Sequence, residues 1–322
     1  MFETTPAFSS NRKFTCTYVV PSYLDVNHID RCKVDNRLNY RHIFHSGNFA
    51  DVIKHVILTR ILVHLREKPA PFRVIDLHAG AGLYDLAAEE AQRTGEWKNG
   101  IGRLLTAELP DFRPEAAALL APYLAAVRAF NPGGVLRHYP GSPLIVAEFL
   151  RANDRLIACE LEPAAAAALG RRLHGIRQAK AVAIDGWVAL NAYIPPSERR
   201  GLVLLDPSYE EAAEFPRLGA ALTSAWRKWR TGIYLAWYPI KNRNGPDALA
   251  KAITHSGIEK ALRLELTIGP VAADGPLAGC GLVVINPPWR LAAEAELVLG
   301  ALTELFGAAA HRRVDWIAQS DR

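Results

Sequence analysis

The sequence predicts an α/β protein with a mostly parallel sheet of seven strands, an antiparallel last strand and a small helical insertion. Half of its 322 residues are hydrophobic and 22% are charged, as in globular chains that bury a full core. Seven short apolar runs rich in β-branched residues are bounded by turn residues or followed by helix-like stretches. Strands that alternate with helices in this way form mostly parallel sheets covered on both faces.

Composition excludes several other classes of protein. No apolar run approaches the roughly 20 residues that span a bilayer, and the 23 glycines and 21 prolines follow no collagen-like period. Cys16, Cys32, Cys159 and Cys280 form no C-x-x-C pair, which predicts free thiols in a reducing compartment, the cytoplasm. The formal net charge of +5 favours a polyanionic partner without identifying one. We expect no membrane association.

Residues 1–37 differ in composition from the rest of the chain and are predicted to be an amino-terminal extension. They have a polar start, Pro6 and Pro21, and no clear periodicity. They lack the apolar stretch and cleavage site of a signal peptide. Three interpretations remain open: a disordered segment, a misassigned start with synthesis beginning at Leu38, and a short ordered arm.

The first predicted helix begins at Asn48 and belongs to residues 38–83, the first part of the core. Asn48 can cap the helix, and Asp51 follows three residues on. Apolar residues then recur at helical spacing: Val52, Val56, Ile57, Ile61, Leu62 and Leu65. Pro69 and Pro71 end the helix.

Seven strands are predicted after this helix. They are residues 73–77, 155–159, 181–184, 201–205, 232–236, 263–268 and 281–285. The loop before the last strand contains Pro270, Gly275, Pro276 and Gly279, and it is too short for a helical crossover of about a dozen residues. The last strand should therefore run antiparallel.

Residues 84–139 interrupt the alternation of strands and helices. They are rich in Ala and Leu, which predicts a helical insertion subdomain. The sequence Pro-Gly-Ser-Pro ends it, where Ser142 is predicted to cap the next helix and Pro143 to lie in the first turn. Residues 140–322 form the remainder of the core.

A turn with two glycines follows the first predicted strand. His78 and Gly80 lie in the sequence His-Ala-Gly-Ala-Gly, where glycine lets the backbone approach a ligand, although the pattern also serves ordinary strand-to-helix packing. Glu160 follows the second strand, and Asp185 with Gly186 follows the third, at the edge where open α/β sheets bind ligands. Acids there accept hydrogen bonds from ribose hydroxyls, so we predict a nucleoside cofactor site. Solvated loop carboxylates are the alternative.

The spacing between the glycine turn and the first acid supports the insertion. Gly80 and Glu160 are 80 residues apart, whereas a simple dinucleotide fold separates such residues by roughly 20. Removing the predicted insertion brings the count close to that value. The pattern of a nucleoside-binding core is therefore preserved.

Asp206, Pro207, Ser208 and Tyr209 end the fourth strand and resemble the Asp-Pro-Pro-Tyr motif of methyltransferases that modify adenine at N6. An exocyclic amine conjugated to a purine is a poor nucleophile, so it must be held in line with the methyl donor. The Asp206 carboxylate and the Pro207 carbonyl can accept its N–H groups, and Tyr209 can stack on a flipped-out base. Ser208 replaces a proline that stiffens the turn, so we expect reduced rather than absent activity.

A second tetrapeptide, Asn-Pro-Pro-Trp from Asn286 to Trp289, matches the looser form of this motif letter for letter. We reject it on topology, because an antiparallel last strand emerges at the opposite edge of the sheet from the glycine turn. We interpret it as a structural proline turn, with Trp289 packing beneath the sheet.

The chain from Leu38 to Ile317 resembles the bacterial ribosomal RNA large subunit methyltransferase J family. The matching motifs are Tyr40-Arg41-His42, His45-Ser46-Gly47-Asn48, Asp51, Lys54-His55, His78 to Gly82, Tyr139 to Leu144, Asp185-Gly186, Arg199-Arg200-Gly201, Thr231 to Tyr234, Trp237-Tyr238-Pro239 and Ile285 to Trp289. The resemblance implies a Rossmann-like, S-adenosyl-L-methionine-dependent methyltransferase fold. It also implies direct methyl transfer to N6 of one flipped-out adenine in 23S rRNA, without a metal.

The resemblance implies roles for individual residues. The cofactor-binding set is His55, His78, Gly80, Ser142, Glu160, Asp185, Gly186 and Asp206. Asp206 would also act in catalysis with Pro207 and Tyr209, and would finally take the amine proton. Tyr40 would contact the target base of the RNA or gate the pocket, and Lys54 would contact the RNA or the donor.

The implied partner is 23S rRNA, protein-free or in an early assembly intermediate, and the implied protein is a monomer. Two other functions stay open: a catalytically weakened RNA-binding protein, because of Ser208, and a DNA adenine-N6 methyltransferase, which shares all the chemistry. Residues 226–230 mix tryptophans with basic residues, as strand-binding surfaces do, or turn their aromatic rings to the core. Further candidates for phosphate contact are Arg41, Lys54, Arg60, Lys241 and Arg243.

Overall fold

The structure is a computed structural model that describes residues 41–107, 112–211, 213–272 and 275–319. Several predictions concern residues outside these ranges. They are the extension 1–37, the alternative start at Leu38, the RNA contact of Tyr40, and the thiols of Cys16 and Cys32. Cysteines 159 and 280 are free and buried, as the sequence predicts.

The described part of the chain alternates helices and strands. The helices are α1 (Phe49–Arg66), α2 (Glu89–Thr94), α3 (Ile101–Thr106), α4 (Pro114–Ala129), α5 (Ser142–Glu148), α6 (Pro163–Leu173), α7 (Gly186–Tyr193), α8 (Glu214–Lys228), α9 (Asn244–Thr254) and α10 (Leu291–Phe306). The strands are β1 (Arg73–Asp76), β2 (Leu83–Asp85), β3 (His138–Pro140), β4 (Arg155–Glu160), β5 (Ala179–Ala183), β6 (Gly201–Leu205), β7 (Ile233–Ile240), β8 (Lys260–Thr267), β9 (Gly279–Ile285) and β10 (His311–Gln319). None of these helices combines the length and the apolar character needed to cross a bilayer.

The main sheet has the strand order β10-β8-β9-β7-β6-β1-β4-β5. The strands from β7 to β5 in this order are parallel to one another. The strand β9 is antiparallel to both of its neighbours, as the short loop before it predicts. The α/β class and the mostly parallel sheet are therefore confirmed.

The sheet has eight strands rather than the seven predicted. The additional strand, β10, lies at one edge and pairs antiparallel with β8. Its sequence begins with His311, Arg312 and Arg313, and Asp315 follows, so it shows no apolar run. Charged residues are common on edge strands because they discourage pairing with another chain. The guanidinium of Arg263 on β8 donates to Asp315 at 2.6 and 2.8 Å and joins the two strands.

Helices cover both faces of this sheet and form two cores. In β1, Val74 belongs to one core and Ile75 to the other, because successive strand residues face opposite sides. The first core contains residues of α1, α4, α5, α6 and α10, and the second contains residues of α7, α8 and α9. The helix α1 begins as predicted, since Asn48 Oδ1 accepts the N–H of Asp51 at 3.0 Å.

The predicted helical insertion begins and ends in strands. The short strands β2 and β3 pair antiparallel, with Tyr84 opposite Tyr139, and the helices α2, α3 and α4 lie between them in the chain. The prediction of helix at both ends of residues 84–139 is therefore wrong. Pairing with a distant partner decided these two strands, and a strand of three residues has almost no local signal.

The second tetrapeptide lies at the amino edge of the parallel strands, where Ile285 pairs with Tyr234 at the start of β7. This placement confirms the topological argument against it. Asn286 has a φ of +51°, and its side-chain amide donates to the carbonyls of Arg230 and Gly232 at 2.7 Å each. The predicted packing of Trp289 beneath the sheet is wrong. Its side chain is 75% exposed.

We expect Asn286→Gly to lower the free energy of unfolding by about 2 kcal/mol, because two hydrogen bonds are lost. Asn286→Ala should cost about 1 kcal/mol more, since alanine is strained at a positive φ and glycine is not. Urea unfolding of the two variants and the wild type measures both effects. Equal stability of the two variants would show that this turn relaxes when its side chain is removed.

Candidate active site

The acidic residues predicted at strand ends lie along one edge of the sheet. The strands β6, β1, β4 and β5 are neighbours and all run parallel, so their carboxyl ends are adjacent. Asp206 follows β6, Glu160 ends β4, and Asp185 follows β5 by two residues. The glycine turn follows β1, in the middle of this row. The structure thus brings together the acids and the turn.

The glycine turn is held by Glu160. The N–H of Gly80 donates to Glu160 Oε2 at 2.8 Å, and the N–H of Glu162 donates to Oε1 at 2.8 Å. Gly80 has a φ of +63°, and a Cβ atom there would collide with the hydroxyl of Tyr84. A side chain at position 80 is therefore excluded both by the backbone conformation and by space. Each carboxylate oxygen of Glu160 keeps a lone pair for a further donor.

Asp185 and Gly186 form the start of α7. The carboxylate of Asp185 accepts the N–H groups of Trp187 and Val188 at 2.8 and 3.0 Å, which caps the helix. A Cβ atom on Gly186 would collide with the carbonyl of Leu77 and with the ring of His78. Glycine at this position lets the helix approach the turn after β1.

His78 links the turn after β1 to the motif after β6. Its Nδ1 atom accepts the N–H of Asp206 at 3.2 Å. Burial lowers the pKa of His78 to about 4, so the ring is neutral and Nδ1 can act as an acceptor. The Asp206 backbone is thereby positioned against the glycine turn.

Lys54 lies against Asp206 rather than in solvent. Its Nζ atom is 2.5 Å from Asp206 Oδ2 and 2.8 Å from Asp51 Oδ1, and the Lys54 side chain is 5% exposed. Burial opposes its charge, but the carboxylates of Asp206 and Asp51 raise the pKa of Lys54 well above its usual value. Asp51 also accepts from the Gly47 N–H at 2.8 Å and lies 3.0 Å from His42 Nε2. The ammonium group therefore pairs with the buried Asp51 and with Asp206, whose side chain is 17% exposed.

His55 is buried beside the insertion. Its Nδ1 atom is 2.7 Å from the hydroxyl of Tyr139, which is in turn 3.0 Å from the hydroxyl of Tyr123. Its Nε2 atom is buried and has no hydrogen-bond partner in the described part of the chain. Burial lowers the pKa of His55 well below its usual value, so the ring is neutral. The free ring nitrogen is suited to a polar group of a ligand.

Ser142 does not cap the helix that follows it, contrary to the sequence prediction. The capping position of α5 is Gly141, and Ser142 is the first helical residue. Its hydroxyl instead donates to Asp76 Oδ2 at 2.7 Å. Asp76 is fully buried at the end of β1, and burial raises its pKa to about 7. Sequence reasoning missed Asp76, although an acid that ends a buried strand two residues before His78 is a recognisable signal.

The tetrapeptide after β6 is anchored by its last residue. The Tyr209 hydroxyl donates to the carbonyl of Trp237 at 2.9 Å, and its ring lies 4.9 Å from that of Phe215. Tyr209 has a φ of +54°. Pro207 is buried and Ser208 is exposed. These contacts hold the turn although its second proline is absent.

Comparison with known proteins identifies the family. The model of the family described as "Ribosomal RNA large subunit methyltransferase D, RlmJ" matches residues 69–318. The chain belongs to this family. The resemblance inferred from the motifs is thereby confirmed, and the chain is an rRNA methyltransferase of the methyltransferase J family.

Two relatives within the family are similar over most of this chain. Both carry the name Ribosomal RNA large subunit methyltransferase J, and each is 38% identical to this chain. The Escherichia coli protein aligns over 282 residues, which is 87% of this chain and 99% of the relative. The Haemophilus influenzae protein aligns over 269 residues, which is 83% and 93% respectively.

A solved structure confirms the methyltransferase fold of the family in this chain. The crystal structure of protein LPL1258 from Legionella pneumophila superimposes with a TM-score of 0.77 at 34% sequence identity. The match covers 84% of this chain and 98% of the Legionella chain. The Rossmann-like sheet therefore recurs in a relative of nearly equal extent.

Several cations proposed from the sequence as phosphate contacts are engaged within the protein. Arg60 donates to Glu294 at 2.9 and 3.0 Å, and Arg243 donates to Glu265 at 2.8 and 3.1 Å. Phosphate contact by these two arginines stays a prediction, and it would compete with these ion pairs. In residues 226–230, both tryptophans are buried while Arg227 and Lys228 are exposed, so the core interpretation of this stretch is confirmed.

Two exposed apolar side chains lie close in sequence to acidic residues of the predicted cofactor site. Sequence reasoning did not identify them. Leu161 directly follows Glu160 and is 50% exposed, and Val188 lies in the first turn of α7 after Asp185 and is 57% exposed. Binding pockets combine apolar walls with a few polar groups. The signal for both residues is an aliphatic side chain next to an acid at a strand end.

We expect Asp76→Asn to change how stability depends on pH. Because burial raises the Asp76 pKa from 3.8 to about 7, the folded protein keeps a proton between these pH values that the unfolded chain releases. The stability due to this proton is fully present below about pH 4 and is lost as the pH rises to about 7. Between pH 5 and pH 8, the variant should therefore gain roughly 2 to 3 kcal/mol relative to the wild type in urea unfolding.

Asp154→Asn is the matched control, because Asp154 is also fully buried. Burial opposes its charge, but hydrogen bonds from Arg151 and Phe72 lower the Asp154 pKa. Its stabilising effect is present above pH 4 and is lost as the pH falls through the lowered pKa. Relative to the wild type, the stability of Asp154→Asn should therefore stay constant between pH 5 and pH 8, where that of Asp76→Asn rises. A parallel response of both variants would refute the burial argument for Asp76.

Proposed function

We propose that this chain transfers the methyl group of S-adenosyl-L-methionine to N6 of one adenine in 23S rRNA, with the adenine flipped out of its helix. Membership in an rRNA methyltransferase family supports the reaction class. The observation that carries the rest is the placement of Asp206. Its carboxylate ends β6 beside the glycine turn, and its backbone is bonded to His78 of that turn.

The residues of this edge fit the proposed donor. Glu160 holds the glycine turn through the Gly80 N–H, and its remaining lone pairs suit ribose hydroxyls. The aliphatic side chains of Leu161 and Val188 suit the faces of an adenine ring. The buried and unpartnered Nε2 atom of His55 suits a polar group of the donor. The donor supplies a methyl group attached to a positively charged sulfur.

The proposed cofactor-binding set also includes His78, Ser142, Asp185, Gly186 and Asp206. Asp185 has a carboxylate oxygen outside the helix cap, because both capping bonds use Oδ1. Ser142 acts through Asp76, to which it donates, and so supports the strand that carries the turn. His78 and Gly186 hold this turn against α7. We assign these three residues to shaping the site around the donor.

Asp206, Pro207 and Tyr209 are proposed to hold the target base. Carboxylate oxygens accept hydrogen bonds, and the Asp206 carboxylate lies against the ammonium group of Lys54. The Asp206 carboxylate and the Pro207 carbonyl would accept the two N–H groups of the adenine amine. This would orient the nitrogen lone pair for attack on the methyl carbon. As the N–C bond formed, the bond between the sulfur and that carbon would break to leave S-adenosyl-L-homocysteine, and Asp206 would take the amine proton. Tyr209 would stack on the base.

Base flipping is part of the same proposal. N6 of adenine is engaged in base pairing within a helix, so an enzyme that acts on it takes the base out of the stack. We propose protein-free 23S rRNA or an early assembly intermediate as the substrate, bound by a cytoplasmic monomer. Lys54 and Tyr40 are the proposed RNA contacts. The side chain of Lys54 is 5% exposed, so RNA could reach it only next to its ion pair with Asp206.

Incubation of the protein with methyl-labelled donor and unmodified, protein-free 23S rRNA tests this function. We expect N6-methyladenosine at one position by nucleoside mass mapping. Asp206→Ala should reduce transfer at least about 1,000-fold, because the acceptor of the amine and its proton is removed. Donor binding, measured by calorimetry, should weaken only a few-fold.

Asp247→Ala is the matched control, since Asp247 is an exposed acid on α9 paired with Arg243. It should transfer methyl groups at the wild-type rate. Unchanged turnover of Asp206→Ala would defeat the assignment of the acceptor. Tight binding of rRNA by the wild type without methyl transfer would instead support the RNA-binding alternative, and preferred transfer to duplex DNA would support a DNA methyltransferase.

We expect Ser208→Pro to equal or exceed the wild type in kcat. Ser208 is exposed, and its N–H makes no hydrogen bond to any described residue, so proline removes no contact. Proline limits the conformations of the turn. Ser208→Gly is the control and should lower kcat, because it loosens the same turn. A folded Ser208→Pro variant slower than the wild type would contradict this account of the turn.

A further inference from the structure

An unpaired basic stretch runs from the end of α6 to the start of β5, the strand at one edge of the sheet. Residues 171–180 contain Arg171, Arg172, Arg177 and Lys180, and no acidic residue. All four side chains are exposed. None of them forms an ion pair with another described residue, whereas Arg60 and Arg243 do.

Two of these arginines line a cavity. It has a volume of about 280 Å³ and is lined by Leu83, Ala168, Arg171 and Arg172. One water takes up about 30 Å³ of liquid volume, so a phosphate group with part of its hydration shell fits. Guanidinium groups match phosphate oxygens with two parallel hydrogen bonds. The cavity therefore has the size and the donors of a phosphate site, without a carboxylate on its wall.

The cavity lies next to the glycine turn that follows β1. A Cβ atom on Gly82, the second glycine of the turn, would lie 3.7 Å from Arg172 Cβ. Leu83 begins β2 and thus the insertion. The helix α6 starts three residues after Glu160, and Arg172 lies nine residues further, about 14 Å along the helix axis. A polymer that reaches the site edge can therefore continue along α6.

We propose that Arg171 and Arg172, with Arg177 and Lys180, bind the phosphate backbone of the substrate RNA outside the target nucleotide. A phosphodiester group occupies the cavity. This inference rests on the rRNA substrate proposed above and adds a second contact surface to it. Backbone contacts of this kind position a nucleic acid without reading its sequence. Such contacts place the RNA in a defined position on a protein whose sequence contains no recognisable RNA-binding module.

RNA fits this surface better than an anionic membrane does. A helix that lies in a membrane surface exposes large apolar side chains on one face. In α6, Leu169 and Leu173 are buried, and no large hydrophobic residue is exposed between 163 and 183. The surface is therefore cationic without an apolar face for lipid.

The double variant Arg171→Glu with Arg172→Glu tests the inference. Its dissociation constant for protein-free 23S rRNA is measured by filter binding without donor, from 50 to 200 mM salt. We expect affinity to fall at least about 10-fold relative to the wild type at the lower salt concentration. The slope of log affinity against log salt should decrease in magnitude by about 1.4, or about 0.7 for each phosphate that the variant no longer neutralises.

The matched control is Arg227→Glu with Lys251→Glu. Both residues are exposed, neither forms an ion pair with a described residue, and the change in formal charge is the same. It should weaken binding by about 3-fold or less, since it changes the net charge and leaves the phosphate-binding arginines in place. Arg171→Lys with Arg172→Lys keeps the charges and should retain most of the salt slope. Thermal unfolding confirms that all variants are folded.

The outcomes separate this inference from the proposed function. Equal weakening by the arginine variant and the control, or no weakening at all, overturns the inference, even if methyl transfer proceeds normally. A specific loss of RNA binding supports it, even if no methyl transfer is found, in which case only the proposed function fails. In an active enzyme, the variant should raise KM for RNA with kcat unchanged. Loss of binding to phosphatidylglycerol vesicles with unchanged RNA binding would overturn the inference in favour of a membrane.

Discussion

One buried ammonium group connects the helix that precedes the sheet to the edge where the acidic side chains meet. Lys54 comes from α1, and its partners are Asp51 of the same helix and Asp206 at the end of β6. A buried charge without a partner is strongly destabilising, so these three groups are stable in the interior only together. The docking of α1 on the sheet therefore positions the Asp206 carboxylate. His78 fixes the backbone of the same residue.

Much of the fold follows from local patterns that the sequence displays. Buried parallel strands are apolar along their whole length, so β1, β4 and β6 were recognisable, as were the cap at Asn48 and the antiparallel β9. The strand β10 was not predicted, because it lies at an edge and carries charges. The strands β2 and β3 were missed because they are three residues long and exist through their mutual pairing. Local signals fail where a distant partner decides the structure.

The residues of the candidate site also include some that the sequence predicts and some that it does not. Glu160, Asp185 and Asp206 were predictable, since parallel topology places the ends of neighbouring strands together. The ion pair of Lys54 was not, because contacts between a helix and a strand end depend on how the helix is docked. The basic residues show most clearly that ion pairs cannot be predicted from the sequence. A sequence does not reveal that Arg60 is engaged with Glu294 while Arg171 is not, since both are arginines in helices.

The paired strands β2 and β3 have a consequence for the evolution of the chain. They bring the two ends of the insertion side by side, with Tyr84 opposite Tyr139. The entropy of closing a loop grows only with the logarithm of its length, so a segment with joined ends can lengthen or shorten at little cost to the sheet. Relatives can therefore differ in the length of this subdomain, provided that the residues of α4 that pack in the first core with α1 and α10 are kept. Tyr139 must be kept as well, because it positions His55.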